Sequence, residues 1–437
     1  MMESSKNAGS LLKDLREILE QKAPILPQED LISFIETYFN KRDEYLSLLS
    51  ENPPPLYMLD SSALKERADK FRYVFEKVFP RVSFFFAVKS NNHPDMARTL
   101  LESGFGLDVS SGLELEMALK LDARDIVFSG PGKTDDELLS ATLNEDRVTL
   151  LMDSFGELQR TESVAKKQNK SVRAGVRLTT NPNGLWRKFG ISPDDLPGFW
   201  EESRKCPHIN IQGLQFHTSW NLSPRAQIEF IQNLGKTLKS MPGDFKKNID
   251  FIDIGGGYWP EEGEWLQDAG TLSGRIRAFL EKPEINFDKH SRISSVPIET
   301  FAEEIGSAVK EHIFNIMDCR IFLEPGRWIS HHAMHLFLSV IDKKAPDLVI
   351  TDAGTNAIGW ERFETDYFPI LNLTRPSLKE KRCNILGSLC TPHDIWGFCY
   401  FGEDIRPGDI LMIPTQGAYT YSLRQHFIKP VPPVVLI

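Results

Sequence analysis

An α/β chain is predicted here: a closed (β/α)8 barrel of the TIM type, followed by a β-rich domain and preceded by a helical extension. Three observations predict it. From residue 81 onward, short apolar runs alternate with amphipathic stretches, the signature of parallel β/α architecture. Eight such units fill roughly 250 residues, the size of a closed barrel. After Gly326 the helical rhythm stops, and the remaining chain carries strand-like runs separated by turn signals. The expected boundaries are an extension and linker at 1–60, the barrel at 61–330 and the β-rich domain at 331–437.

Each element follows from its residues. In the first fifty residues, Leu11, Leu12, Leu15 and Leu19 fall at helical spacing, and Ile32, Ile35, Phe39 and Tyr45 do so more loosely. Pro53, Pro54 and Pro55 then break the chain. Barrel strands are expected at Val82–Lys89, Gly106–Ser111, Asp125–Gly130, Arg147–Asp153, Ser171–Thr179, Ile209–Thr218, Ile249–Gly255 and Arg320–Gly326. Helical patterns stand between them, such as Glu114–Leu121, Asp135–Thr142 and Arg225–Leu238. An open doubly wound sheet fits less well, because no Gly-x-Gly-x-x-Gly follows the first strand. The β-rich domain is expected to use Leu348–Thr351, Tyr367–Leu373, Asn384–Leu389, Asp409–Ile413 and Tyr419–Ser422 as strands.

Composition narrows the function classes. The 437 residues carry 61 acidic and 51 basic side chains, a net charge of -10. That argues against a nucleic-acid partner, which calls for a basic surface, but allows a local anion site. The five cysteines are widely spaced with no Cys-x-x-Cys pair, as expected of a reduced, cytoplasmic protein. No basic-then-apolar leader and no apolar run of about 18 residues is visible, so neither secretion nor a membrane partner is expected.

The residues with chemistry stand at the C-terminal ends of the expected strands, where barrel active sites are built: Lys89, Asp108, Ser129, Asp153, Arg177, His217, Gly255–Gly257 and Glu324. Burial would disfavour the Lys89 ammonium and leave the neutral amine that Schiff-base chemistry needs. Taken alone, such a lysine is more often a strand-end cation reaching water. Gly255, Gly256 and Gly257 suit a phosphate approached by backbone N–H groups, or simply a tight turn. Glu324 could keep a pyridinium nitrogen protonated, and Arg327 after Gly326 could clamp a phosphate; an exposed ion-paired turn fits as well. His217 could stack on a cofactor ring, although a lone strand histidine is more often a core residue. Cys390 could donate a proton, although a lone cysteine is more often a small buried hydrophobe.

Taken together and in order, these segments resemble one family. Phe86–Asn91, Gly106–Ser111, Gly130–Lys133, Lys188–Gly190, Gly213–His217, Asp253–Gly257, Glu324–Arg327, Asp352–Gly354, Cys390–Asp394, Gly408–Asp409 and Gly417–Tyr419 are similar to motifs of the pyridoxal-phosphate-dependent amino-acid decarboxylases. These pair an alanine-racemase-type barrel with a β-domain and include the diaminopimelate, ornithine and arginine enzymes. The resemblance implies pyridoxal 5'-phosphate bound by the barrel and held covalently by Lys89. It implies that His217 stacks on the ring, Glu324 meets its nitrogen and Asp108 sits beside the lysine. Gly255, Gly256, Gly257, Gly326, Arg327 and Tyr419 would hold the phosphate. Cys390 would come from a partner subunit and protonate the α-carbon, which implies a homodimer with shared active sites and no metal. Arg177, Thr391, His393 and Asp394 would meet the amino-acid substrate.

The motifs also depart from the family in three places. Thr391 stands where the ornithine and diaminopimelate enzymes carry an acid after the cysteine. Trp220 replaces the serine of the usual His-x-Gly-Ser segment, and Asn356–Asp366 replaces an Arg-Pro-x-x-Tyr segment. A pocket without the counter-charge loses its grip on a distal ammonium, so the resemblance turns toward substrates with a bulky or carrier-linked distal end, as in siderophore or antibiotic pathways. A racemase on the same barrel and a non-catalytic regulatory homologue are the alternatives. Cys390 in its context favours decarboxylation over the first, and retention of Lys89, His217, Glu324 and Cys390 disfavours the second.

Overall fold

The computed structural model describes residues 8–20, 23–280, 290–359 and 365–437. Eight parallel strands close into a barrel: Val82–Ala87, Gly106–Val109, Ile126–Phe128, Val148–Met152, Val172–Leu178, Ile209–Phe216, Phe251–Asp253 and Arg320–Leu323. The last pairs with the first through Ile321 and Val82. Strands buried on both faces read as apolar runs, which is why their sequence signal is strong.

Inside the barrel, Phe85, Val127, Leu151, Phe251 and Phe322 form a separate buried layer. The Phe251 and Phe322 rings stack at 4.3 Å between centroids. Gly213 makes room for them, since a Cβ there would lie 2.1 Å from the Phe251 ring. This layer plugs the barrel floor and leaves the opposite mouth for chemistry. Several of the helices outside are capped by side chains. Thr134 and Glu137 form a reciprocal capping box, and Ser154 accepts from the Glu157 N–H.

The Gly130–Lys133 motif is structural. Lys133 Nζ is buried and donates to Gly130 O (2.7 Å), Leu151 O (2.8 Å) and Glu157 Oε1 (2.7 Å). Replacing Lys133 with Met strands the buried Glu157 carboxyl, and a loss of about 3–5 kcal/mol is expected. A urea midpoint unchanged from the parent protein would refute that role.

The second sheet has eight strands in the order Leu348–Thr351, Glu380–Leu386, Ile395–Phe401, Leu371–Asn372, Ile410–Ile413, Met334–Ala345, Leu56–Leu59 and Val434–Leu436. The end strand Leu348–Thr351 also pairs with Met334–Ala345 inside the sheet. Met334–Ala345, Ile395–Phe401 and Val434–Leu436 are strands that the sequence expectation did not include, and two further features depart from it. Leu56–Leu59, read as linker, is a strand of this sheet, antiparallel to Met334–Ala345 and parallel to Val434–Leu436. Tyr419–Ser422 is not a strand: Tyr419 adopts φ +58° and a short helical turn follows at Tyr421–Leu423.

The amino-terminal helices Gln28–Phe39 and Arg42–Glu51 cover the second sheet, not the barrel. Leu31, Ile35, Tyr38, Tyr45 and Leu49 pack with Leu56, Met58 and Phe337 in one cluster. Among the described residues, no helix is long and apolar enough to cross a membrane.

Candidate active site at the barrel mouth

Lys89 sits in a tight turn, Val88–Ser90, directly after the first barrel strand. Its Nζ lies 2.8 Å from Asp108 Oδ2, at the end of the second strand. Asp108 is fully buried and also accepts from the Ser129 hydroxyl, at the end of the third. Burial works against the Lys89 charge, but the Asp108 and Glu324 carboxylates outweigh it and raise the amine above its ordinary value. This corrects the expectation of a neutral lysine: without a bonded cofactor, its neighbours keep it an ammonium.

Glu324, at the end of the eighth strand, is 1% exposed, not an exposed turn residue. Its Oε1 accepts from Gln215 Nε2 (3.4 Å), and Oε2 lies 3.7 Å from His217 Nδ1. Burial opposes its charge too, yet the Lys89 ammonium and the adjoining Asp253 carboxyl keep it below the usual carboxylate range. His217 follows the sixth strand and its Nδ1 accepts from the Gly256 N–H (3.1 Å). Burial lowers the imidazole below its usual range, which with that acceptor role fixes a neutral ring protonated at Nε2.

The three glycines do more than face an anion. The Gly255 N–H donates to Asp253 Oδ1 (2.8 Å) and the Gly256 N–H to His217. That leaves the Gly257 N–H, among the described residues, for a phosphate. Glycine is required there because of close approach: a Cβ on Gly256 would lie 2.2 Å from Glu324 O, and one on Gly257 2.3 Å from Thr218 O. Gly326 has the same duty, since a Cβ there would meet Ser90 Cβ at 2.9 Å.

Arg327 and Tyr419 complete the mouth. The Arg327 guanidinium lies 4.3 Å from the Trp259 ring centroid and 4.9 Å from that of Tyr419. Trp220, which also takes a positive φ (+58°), faces the same guanidinium at 5.6 Å. Tyr419 is tied to the lysine turn by its N–H, which donates to Ser90 O (2.8 Å). A cavity beside them is lined by Trp259, Glu264, Trp265, Arg327, His331 and Tyr419, among others.

Other expected site residues lie elsewhere. Arg177 is buried, and its Nη1 donates to Ser129 O (2.7 Å). It braces the Ser129–Asp108–Lys89 chain from behind. Cys390 is exposed on a loop of the β-rich domain. Thr391 is half-buried and His393 exposed on that loop. Asp394 is buried and turned inward, accepting from the Thr355 N–H (2.7 Å), the Thr355 hydroxyl (3.0 Å) and the Leu389 N–H (2.6 Å). Of the Asn356–Asp366 segment, residues 360–364 lie outside the described residues.

Asp253 stands in one of the quoted motifs, but sequence reasoning gave it no role of its own. It is fully buried, and burial with the Glu324 charge pushes its carboxyl well up. The available signal was an acid inside the apolar run Phe251-Ile252-Asp253-Ile254.

An amine, a buried carboxylate, a neutral imidazole and a guanidinium–phenol pair with an adjacent glycine turn fit a phosphorylated pyridine aldehyde. Comparison with known proteins agrees. A sequence model of the pyridoxal-dependent decarboxylase family, for its pyridoxal binding domain, matches residues 64–331. The chain belongs to the pyridoxal-dependent decarboxylases. It is 27% identical to a diaminopimelate decarboxylase of Aquifex aeolicus, covering 96% of this chain and 94% of that one. It is 24% identical to the L-glutamyl-[BtrI acyl-carrier protein] decarboxylase of Niallia circulans, covering 90% and 91%. The crystal structure of Helicobacter pylori diaminopimelate decarboxylase complexed with L-lysine superposes with a TM-score of 0.73 at 22% identity, covering 90% and 94%. The decarboxylase fold, a closed barrel with a β-rich domain, is therefore shared across nearly the whole chain.

Within this family, Glu324→Gln is expected to lower kcat about 10- to 100-fold, because a neutral amide cannot stabilise a protonated ring nitrogen as an anion does. A kcat within twofold of the parent enzyme would remove Glu324 from that role.

Proposed function

We propose that this decarboxylase removes the α-carboxylate of an amino acid whose distal end carries no free ammonium, a diamino acid acylated or carrier-linked at that end being the favoured class. The convergence of Lys89, Asp108, His217 and Glu324 on one barrel mouth, with Arg327 and Tyr419 beside them, is the observation that carries the catalytic part. Pyridoxal phosphate, when bound, supplies the electron sink for the pair left as the Cα–carboxylate bond breaks.

The chain's own residues do the rest. Lys89 is the covalent attachment point, and Asp108 orients its amine and holds its proton. Glu324 stays ionised against the ring nitrogen, with Asp253 behind it. Neutral His217 covers the ring face. The Gly257 N–H, Arg327 and Tyr419 hold the phosphate. Cys390, presented outward, serves the mouth of a second subunit, where its thiol returns a proton to the α-carbon. The enzyme thus works as a homodimer.

Thr391 supports the substrate class. It offers a hydroxyl where a distal ammonium would need a carboxylate, and a site built for one of these discriminates against the other. The name of the Niallia circulans relative points the same way, as its substrate is a carrier-bound glutamyl group. The test is carbon dioxide release over diaminopimelate, ornithine, lysine, arginine and distally acylated diamino acids. An acylated substrate should exceed diaminopimelate in kcat/KM by about 10-fold or more. Diaminopimelate or ornithine as the best substrate would overturn the class.

A further inference from the structure

A second cluster of ligating side chains lies away from the barrel mouth, at the edge of the β-rich sheet. His290 Nε2, a Glu380 carboxylate oxygen and Cys399 Sγ all lie within 4.8 Å of one another. His290 and Cys399 are 5% and 7% exposed. The imidazole Nε2 is 3.0 and 3.1 Å from the two Glu380 oxygens, and Cys399 Sγ is 2.8 Å from Oε1. The Tyr367 hydroxyl donates to the same oxygen (2.7 Å), and its ring stacks on His290 at 3.4 Å, fixing the imidazole plane.

The backbone pre-arranges the three. Glu380 opens the strand Glu380–Leu386, and Cys399 lies in its antiparallel neighbour, opposite Arg382. His290 precedes the short strand Ser291–Ile293 and is pinned by the Leu26 N–H, which donates to its carbonyl (2.9 Å). A hydrogen-bond network centred on Glu380 accounts for part of this arrangement. Among the described residues it leaves His290 Nδ1 buried without a partner. It also gives no reason for a thiol, an imidazole and a carboxylate to gather in one buried spot.

One nitrogen, one sulfur and one oxygen donor make the mixed set that a borderline-soft divalent ion prefers. A pocket lined by Gln28, Glu380 and Cys399 opens the cluster to water, a path for entry and a source of a fourth ligand. Lys379, Lys381 and Arg382 line the same pocket. They disfavour a free cation but tolerate this one, because a thiolate and a carboxylate cancel its two charges.

We propose that His290, Glu380 and Cys399 bind one zinc-class divalent ion. On binding, the Cys399 thiol releases its proton to solvent, and the imidazole keeps its own on Nδ1 while Nε2 coordinates. The ion ties Ser291–Ile293 to the β-rich sheet. That strand pairs with Glu264–Leu266, whose Glu264 and Trp265 line the mouth cavity, so the ion stiffens one cavity wall.

The experiment titrates the holoenzyme with Zn2+ against a chromophoric chelator, with X-ray absorption at the zinc edge. One ion per chain is expected, with one sulfur at about 2.3 Å and nitrogen or oxygen at about 2.0–2.2 Å. Cys399→Ser and His290→Gln should weaken binding about 100-fold or more, and Tyr367→Phe about 10-fold. Cys390→Ser should leave zinc binding unchanged. Sub-stoichiometric zinc on the parent protein, a shell without sulfur, unchanged binding by Cys399→Ser, or loss of binding in Cys390→Ser would each overturn the proposal. The first two need no variant and stand even where a substitution fails to fold.

Discussion

Replacing Lys89 with Ala is expected to lower turnover about 1000-fold or more, because the covalent anchor and its proton-carrying amine go together. The protein should still bind pyridoxal phosphate through Arg327, Tyr419 and the glycine turn, but borohydride should no longer fix it to the chain. The neighbours decide the secondary effects. Asp108 is fully buried and loses its ammonium partner, while Ser129 still donates to it. With Lys89 gone, Asp108 moves further toward its protonated form, since burial and Glu324 already push it up and the lysine alone of its charged neighbours pulls it down. Lys89→Arg keeps that charge and should restore stability without restoring turnover. Turnover within tenfold of the parent enzyme in Lys89→Ala would end the assignment. The pair of variants separates electrostatic support from chemistry.

The barrel was legible because its strands are buried on both faces and end on functional residues. A run such as Phe84-Phe85-Phe86-Ala87 has no solvent face to blur it, and the closed strand order confirms it. The β-rich domain was legible only in outline. Leu56–Leu59 follows three prolines and is four residues long, so local signals mark it as linker, and only pairing with Met334–Ala345 makes it a strand. Tyr419–Ser422 has strand-like composition, but the Tyr419 N–H is drawn to Ser90 O, and a strand cannot make that turn. Tertiary context overrides β-propensity in both places.

The site divides in the same way. Residues at strand ends are placed by the barrel itself, so Lys89, Asp108, His217 and Glu324 converge as their positions implied. Their charges could not be read. Burial alone predicts a neutral Lys89, whereas the sum of burial and two carboxylates reverses the sign. The Gly255–Gly257 motif announced closeness but not to what: the pressing neighbours are Glu324 O and Thr218 O, not only an anion. In the Cys390–Asp394 motif one residue points in and another out. The buried acid Asp394 shapes the loop that carries the exposed thiol.

That loop frames the other large effect. Replacing Cys390 with Ala is expected to slow turnover about 100- to 10,000-fold, the range for a lost proton donor, with cofactor binding unchanged. The loop presents the thiol rigidly. Asp394 accepts three hydrogen bonds from Leu389 and Thr355, and a Cβ on Gly387 would lie 2.2 Å from its Oδ2. On the proposed reading the exposed thiol serves the site of a second copy. Mixing equal amounts of Lys89→Ala and Cys390→Ala subunits tests this directly. Each homodimer is inactive, but every mixed dimer pairs an intact Lys89 with an intact Cys390 at one of its two sites. Random exchange makes half the dimers mixed, so about 25% of the parent activity should return. If the thiol served its own chain, every site in the mixture would lack one partner and nothing would return. Recovery in a mixture that sediments as monomer would also refute the shared site, since no second chain would then be present to supply the proton.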